Sequence, residues 1–183
     1  MSNTAKFTFQ RIKHFIGFPA SGHHLSEQLV ATLGGVISIS LVILLTRALL
    51  GEQATLVIVP SLGASAVLIF AAPHSPFAQP WAVMGGHLLS ALVGVTCWQL
   101  VPNATLAAGL AVGLAIGVMH LARCLHPPGG ATALIAVIGS EEIHAMGYYY
   151  VLIPATLGPL ILLGVALIVN NIPATRRYPE NWI

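Results

Sequence analysis

Two segments of this sequence combine proline, glycine and hydroxyl residues in the same order. They are PSLGASAVL at residues 60–68 and HPPGGATAL at residues 126–134, and a shift of 67 residues places Gly63 over Gly130. Proline and glycine stop a preceding helix, and the residues that follow favour the start of a short apolar helix. The first turn of a helix binds anions, because its N–H groups are unpaired and the helix dipole is positive there. The two segments therefore predict a site for a small negative ion.

The candidate site residues follow from this interpretation. Glycine lets the backbone approach an anion closely, hydroxyl groups add hydrogen-bond donors, and a histidine donates or changes the charge of the site with pH. The predicted substrate-binding residues are Ser61, Gly63, Ser65, His126, Pro127, Pro128, Gly129, Gly130 and Thr132. Arg47, His87 and Arg123 are predicted to line the pathway, and the two arginines would attract anions toward its entrances.

Each of these features also has a structural explanation that the sequence leaves open. Glycine and other small residues permit tight helix packing in membranes. A histidine beside a helix break often serves only as a structural hydrogen-bonding group, and His87 also suits a position at the membrane interface. Arginine side chains near helix ends reach toward lipid headgroups.

The composition indicates a polytopic membrane protein. Of the 183 residues, 56% are hydrophobic and 7% are charged, against roughly 25% charged in an ordinary soluble domain. The five acidic residues are all glutamates near the ends of apolar runs. Because coupling to cations relies on carboxylates inside the membrane, cation transport is not expected. The sequence favours a transporter or channel over an enzyme, with no cofactor and no nucleic-acid partner.

Apolar runs predict six membrane segments, since a straight helix needs roughly 20 residues to cross. They lie at about 29–50, 54–72, 81–101, 104–121, 129–139 and 148–170. The second is expected to be interrupted at residues 60–63, and the fifth is short. The predicted fold class is an all-α polytopic membrane protein with two repeats of span, broken or short helix, and span. The repeats cover about 25–101 and 104–170 within one transmembrane domain at 25–172, between a basic interfacial segment at 1–24 and a tail at 173–183.

The distribution of charge favours an inverted arrangement of the two repeats. If all six segments cross, one side carries Lys6, Arg11, Lys13, Arg123, Arg176 and Arg177, and the other carries Glu141 and Glu142. This asymmetry is typical of membrane proteins, and inverted repeats are common in transporters. The two short helices would then point their N-termini at each other near the midplane. The alternative is four spans with two re-entrant short helices.

Other functions are less well supported by the residues. Ser65 with His87 or His126 has the composition of a serine–histidine pair, and the surrounding residues faintly resemble the nucleophile site of rhomboid intramembrane proteases. A metal site at His120, Cys124 and His126 is not expected, because Pro127 breaks the helical spacing. A structural or accessory subunit is a further alternative. The expected partners are a small inorganic anion, membrane lipid and further copies of the chain.

Three motifs resemble the HPP family of integral membrane proteins in order and spacing. They are HPPGGATAL at 126–134, PSLGASAVLIF at 60–70 and GGHLLS at 85–90, and the likeness covers about residues 25–170. The resemblance implies four transmembrane helices and transport of nitrite or a similar small anion, as in cyanobacterial and chloroplast members. From this resemblance we take only His126, Pro127, Pro128 and the glycines that follow them, which form the family motif. The short N-terminal segment favours a bacterial inner membrane over a chloroplast.

Overall fold

The computed structural model describes residues 25–50 and 52–183, and the regular elements in that part of the chain are all helical. They are α1 (Leu25–Leu50), α2 (Glu52–Ala71), α3 (Pro80–Leu100), α4 (Ala104–Leu121), α5 (Pro127–Ile138), α6 (Glu141–Met146), α7 (Tyr149–Leu152) and α8 (Leu157–Val169), with a 3₁₀ turn at Pro76–Ala78. Four segments are long and apolar enough to cross a membrane: Leu25–Leu49, Pro80–Leu100, Ala104–Leu121 and Tyr149–Val169. The predicted all-α membrane fold is confirmed. The predicted interfacial segment at 1–24 lies outside the described residues.

The first four helices alternate in direction. Gly34 in α1 packs on the ring of Phe70 in α2, so the end of α2 returns to the beginning of α1. The indole N–H of Trp81 donates to the carbonyl oxygen of Ala122 at 3.0 Å, which brings the start of α3 beside the end of α4. Consequently α1 and α3 run one way, and α2 and α4 run the other way.

Helix α5 runs parallel to α3 at very close range. Gly86 and Gly94 of α3 face His126 and Ala133 respectively, and a Cβ atom at either glycine would lie within 2.5 Å of those residues. Small residues at every fourth position let two helix backbones approach in this way. Close contact with α3 therefore determines where the short α5 helix sits.

Helix α8 completes the second half and runs parallel to α2. Gly158 at its start packs on Leu62, and Asn170 just past its end donates to the carbonyl oxygen of Ile69 at 3.0 Å. Each half of the chain thus supplies three elements of alternating direction: α1, α2 and α3 in the first half, and α4, α5 and the segment of α7 and α8 in the second half. Because three is an odd number, the second half begins in the direction opposite to the first, as inverted repeats require.

Two predictions about helix interruption are wrong. The segment predicted to break at residues 60–63 forms one helix from Glu52 to Ala71 with Pro60 inside it. Transmembrane helices tolerate an internal proline because neighbouring groups satisfy the freed carbonyl. The predicted straight span at 148–170 is interrupted instead, since α7 ends at Leu152 and α8 begins at Leu157, with Pro154 in the intervening turn.

The described arginines and glutamates named in the charge prediction lie at the two expected ends of the bundle, although Glu27 and Glu180 share the end of the arginines and Arg47 lies near the other end. Arg123, Arg176 and Arg177 lie at the end of the bundle where α1 begins, and Glu141 and Glu142 begin α6 at the other end. We call the first the basic end. Arg176 donates to the carbonyl oxygens of Phe70 and Glu27, at 3.1 and 3.3 Å, and so fastens the tail to α1 and α2.

The C-terminal tail covers part of the basic end. The Tyr178 hydroxyl donates to the carbonyl oxygen of Ala78 at 2.7 Å, and burial raises the pKa of this phenol. The side-chain oxygen of Gln79 accepts from the backbone N–H groups of Glu180 and Asn181, at 2.9 and 3.4 Å. The tail thereby holds the 3₁₀ turn against the start of α3.

Arg123 follows the end of α4 in the left-handed conformation, with φ of 54°. The N–H of Cys124 donates to the Met119 carbonyl at 2.9 Å, and the N–H of Arg123 donates to the His120 carbonyl at 3.2 Å. These two bonds define a Schellman motif, in which glycine usually occupies the left-handed position. An L-residue there costs about 1–2 kcal/mol.

We predict that Arg123→Gly stabilises the protein, because glycine adopts positive φ without steric cost. The expected gain is about 0.5–1 kcal/mol after the added flexibility of the unfolded chain is counted, which corresponds to roughly 1–4 °C. Thermal unfolding of the purified protein in detergent measures it. Arg123→Ala is the matched control, since it removes the same charge and keeps the strain. A lower melting temperature for Arg123→Gly than for Arg123→Ala would contradict the prediction.

Candidate functional site

Four buried polar side chains from α2, α3 and α5 form one continuous chain of hydrogen bonds. The Ser65 hydroxyl lies 2.7 Å from His87 Nε2 and 2.8 Å from His126 Nε2. His87 Nδ1 lies 2.7 Å from the Thr132 hydroxyl. His126 Nδ1 lies 2.7 Å from the carbonyl oxygen of Phe77 in the 3₁₀ turn. We call Ser65, His87, His126 and Thr132 the polar cluster; each has at most 1% of its surface exposed.

The cluster joins the two sequence repeats at one imidazole ring. A shift of 67 residues places Ser65 on Thr132. These two hydroxyls contact the two nitrogens of His87, one on each side of the ring. His87 therefore lies between equivalent positions of the two repeats. Any movement of α2 relative to α5 therefore changes at least one of the two hydrogen bonds of His87.

Local sequence explains how the histidines come together. Gly86 precedes His87, and its missing side chain leaves room for the Cβ atom of His126, which would lie 2.4 Å from a Cβ at position 86. The two imidazole rings consequently stand 4.9 Å apart between centroids. His126 is the residue before α5, where Pro127 and Pro128 occupy the first helical positions that proline favours.

The structure has one of the two predicted helix starts and lacks the other in the described residues. The prediction that a short helix begins near Ser61 is wrong, because α2 begins at Glu52 and Ser61 lies inside it. The second predicted helix does begin where expected, at Pro127. Its first two residues are prolines without N–H groups, and the N–H of Gly129 donates to the His126 carbonyl at 2.8 Å. The two prolines and the paired Gly129 reduce the number of first-turn N–H groups that α5 offers to an anion, whereas the donors within the polar cluster are side chains.

The other predicted residues occupy different surroundings. Gly63 lines a groove of about 340 Å³ between α1 and α2, on the outside of the bundle. Gly129 packs between Ser90 and Met119, so its role in the structure is close packing. Gly130 is open enough for a side chain, with a single atom of a neighbouring residue at 3.9 Å. Pro127, Pro128 and Ala64 belong to an apolar groove of about 500 Å³ between α2 and α5.

The polar cluster lies between the basic end and the middle of the bundle, and closer to the middle. His87 is seven residues into α3, and Ser65 is six residues from the end of α2. At 1.5 Å per residue, both lie roughly 10 Å from the basic ends of their helices. Helices α2 and α3 are each about 30 Å long, so the cluster lies about 5 Å from their midpoints, on the side of the basic end. A site at the midplane stays a prediction. Arg123 lies at this same end and Arg47 ends α1 at the other, and both are exposed.

Sequence reasoning missed two groups that hold the cluster in place. One is the carbonyl oxygen of Phe77, which has no signature in the sequence because it is a backbone group. The other is Tyr150, fully buried, whose hydroxyl donates to the backbone carbonyl of Thr132 at 2.9 Å. In the YYY run at 148–150, residue type alone does not distinguish the buried Tyr150 from its exposed neighbours. In the described part of the chain, no three His, Cys, Asp or Glu side chains come together as a metal site would need.

The fold and this cluster define a polytopic, all-helical integral membrane protein with a buried polar centre. The sequence matches the transmembrane region of the HPP family over residues 20–179. The chain belongs to the HPP family.

Two curated relatives are both transmembrane proteins of Dictyostelium discoideum. One is 44% identical over 154 residues, which cover 82% of this chain and 49% of the relative. The other is 46% identical over 130 residues, which cover 69% of this chain and 45% of the relative. The chain thus spans about half the length of the curated relatives it matches. No solved structure matches it at a significant level.

Proposed function

We propose that this protein transports a small monovalent anion, nitrite in the first place, across the membrane that it spans. The observation that carries the proposal is the hydrogen-bonded cluster of Ser65, His87, His126 and Thr132, buried where three helices meet. Membership of the HPP family is consistent with a membrane transporter. The membrane proposed is a bacterial inner membrane, and the proposed surroundings are lipid and further copies of the chain.

The chemistry of the cluster suits a bent oxyanion of one charge. Serine and threonine hydroxyls and imidazole N–H groups are neutral donors, so they replace part of the water around an anion without holding it as tightly as a lysine or arginine would. In the described state these groups bind one another. An anion enters only by exchanging with those bonds, which requires α2 and α5 to separate at His87.

We predict that hydroxyl removal slows anion flux while leaving the fold intact. Ser65→Ala and Thr132→Val are the variants, because each keeps nearly the same side-chain volume and deletes one hydroxyl. Loss of one hydrogen bond to a bound anion costs about 1.5–3 kcal/mol, so flux should fall on the order of 10–100-fold. Proteoliposomes containing the purified protein, supplied with nitrite, nitrate, formate or chloride, measure the rates.

Ser38→Ala is the matched control for these variants. Ser38 is equally buried, lies in α1, and its hydroxyl only donates to the Gly35 carbonyl of its own helix at 3.2 Å. It should transport at the wild-type rate. Equal rates in Ser65→Ala, Thr132→Val and Ser38→Ala would contradict a route through the cluster. Zero flux of all four anions by the wild-type chain would favour the accessory-subunit alternative.

One observation also supports a second candidate, an intramembrane serine hydrolase. The Ser65 hydroxyl lies within hydrogen-bond distance of two imidazoles, and His126 is oriented by a carbonyl oxygen as a catalytic base would be. An oxyanion hole is the missing part, since Ser65 is inside a helix and the nearby first turn of α5 carries two prolines. Covalent labelling of wild type by a fluorophosphonate probe, lost in Ser65→Ala, would support this candidate over transport.

A further inference from the structure

The hydrogen-bond directions of the polar cluster follow from one backbone group. The Phe77 carbonyl only accepts, so His126 Nδ1 carries a hydrogen. When His126 is neutral, its Nε2 accepts, and the Ser65 hydroxyl donates to it. His87 Nε2–H then donates to the Ser65 oxygen, and His87 Nδ1 accepts from the Thr132 hydroxyl. Four hydrogens make four bonds, and both imidazoles are neutral.

The same cluster accommodates one more proton without moving a heavy atom. If His126 Nε2 is protonated, the Ser65 hydrogen turns to the Ser61 carbonyl, whose oxygen is 3.1 Å from the Ser65 hydroxyl. The Ser65 oxygen then accepts from both imidazoles through its two lone pairs. The rearrangement needs only the rotation of one hydroxyl.

Thr132 offers the equivalent rearrangement in the second repeat. Its hydroxyl lies 3.3 Å from the Pro128 carbonyl, one helical turn earlier, as Ser65 lies one turn after Ser61. If His87 Nδ1 is protonated, the Thr132 hydrogen turns to Pro128 and the imidazole donates to the hydroxyl oxygen. Both repeat-related hydroxyls therefore have an alternative acceptor in their own helix, and either imidazole takes the added proton.

A positive charge here lacks a resident counter-charge in the described part of the chain. The groups that face the two imidazoles are the Ser65 hydroxyl from α2, the Thr132 hydroxyl from α5 and the Phe77 carbonyl from the 3₁₀ turn. His87 and His126 themselves are the titratable groups among these contacts. An uncompensated charge in such a buried position is strongly unfavourable. A bound monovalent anion supplies the missing charge.

We propose that the polar cluster binds one proton together with one monovalent anion, so that transport moves the two together and carries no net charge. This inference rests on the proposed function, because it assigns the co-transported ion of the same site. The proton resides on His126 or His87, and the anion accepts from the resulting imidazolium and the neighbouring hydroxyl. Release of the anion on the far side leaves the charge unpaired and expels the proton.

Nitrite uptake into proteoliposomes tests this proposal when internal pH and membrane potential are followed together. We expect one proton to enter with each nitrite, at a rate that does not change when potassium and valinomycin clamp the potential at different values. An imposed gradient of one pH unit should accumulate nitrite about tenfold, since one pH unit is a factor of ten in proton activity. Liposomes without protein give the background from diffusing nitrous acid, and Ser38→Ala should match wild type.

The outcomes separate this proposal from the proposed function. Protein-dependent nitrite flux that follows the clamped potential, or that enters without protons, overturns proton coupling and leaves anion transport intact. Flux of nitrite, nitrate, formate and chloride at the protein-free rate overturns the transport function itself, and the coupling proposal with it. Accumulation of nitrite under an imposed pH gradient, observed only when the protein is present, supports both anion transport and proton coupling.

Discussion

His126→Ala is expected to lower nitrite flux on the order of tenfold or more and to destabilise the protein by about 2–5 kcal/mol. The flux falls because the cluster loses one of its two imidazoles, the one that connects the Ser65 hydroxyl of α2 with the Phe77 carbonyl of the 3₁₀ turn. The stability falls because a fully buried ring is replaced by a cavity and the Phe77 carbonyl loses its donor. Flux in proteoliposomes and thermal unfolding in detergent measure the two effects.

Two further substitutions at His126 separate structure from transport. His126→Asn places an amide N–H near the position of Nδ1, so it should recover the bond to Phe77 and part of the stability. His126→Gln reaches farther, toward Ser65, and should recover contact with the hydroxyl. Neither amide takes up a proton near neutral pH, so proton-driven accumulation of nitrite is lost in both variants if the transported proton resides on His126, and is retained if it resides on His87. Wild-type accumulation in His126→Gln would show that His126 does not carry the proton.

The sequence identified the membrane fold and all four members of the polar cluster. Composition and run length were sufficient for the helices, and α4 was predicted with its observed ends. Ser65 and Thr132 were found because they recur at equivalent positions of a repeat, while His87 and His126 were the histidines nearest to the glycine motifs. The identities were predictable because inverted repeats place equivalent residues around a common axis.

The interactions within the cluster were not predictable from residue types. The expected anion donors were N–H groups at two helix ends, but Pro60 lies inside α2 and the prolines at 127 and 128 remove N–H groups from α5. Whether a proline breaks a membrane helix depends on neighbours that satisfy the freed carbonyl, which sequence does not give. The Phe77 carbonyl, a backbone group distant in sequence, sets the direction of every hydrogen bond in the cluster.

Gly94→Ala is expected to destabilise the protein by forcing α3 and α5 apart. A Cβ atom at this position would lie 2.5 Å from the Ala133 carbonyl oxygen, 2.9 Å from Ala133 Cα and 2.8 Å from the Ala136 side chain. Two of these three atoms are backbone, so no side-chain rotation relieves the clash. The helices must separate, at an expected cost of about 1–3 kcal/mol. Thermal unfolding in detergent measures the loss.

Gly113→Ala and Gly164→Ala are the matched controls. Both glycines are exposed positions in helices, on α4 and α8, and nothing lies within 4 Å of a Cβ atom placed there. Alanine favours a helix over glycine by up to about 1 kcal/mol, so these variants should be as stable as wild type or more stable. Losses of similar size in all three variants would mean that glycine itself, and not the contact between α3 and α5, explains the effect.

The same substitution tests whether the packing of α3 on α5 sets the geometry of transport. Ala133 is adjacent to Thr132, so pushing α5 away at Gly94 should lengthen the 2.7 Å contact between Thr132 and His87. Flux should then fall in Gly94→Ala even at temperatures where the protein remains folded, as is expected for Thr132→Val. The double variant should lose little beyond Thr132→Val, because both changes act through one hydrogen bond. Additive losses would indicate that Gly94 acts on flux by a route that does not pass through Thr132.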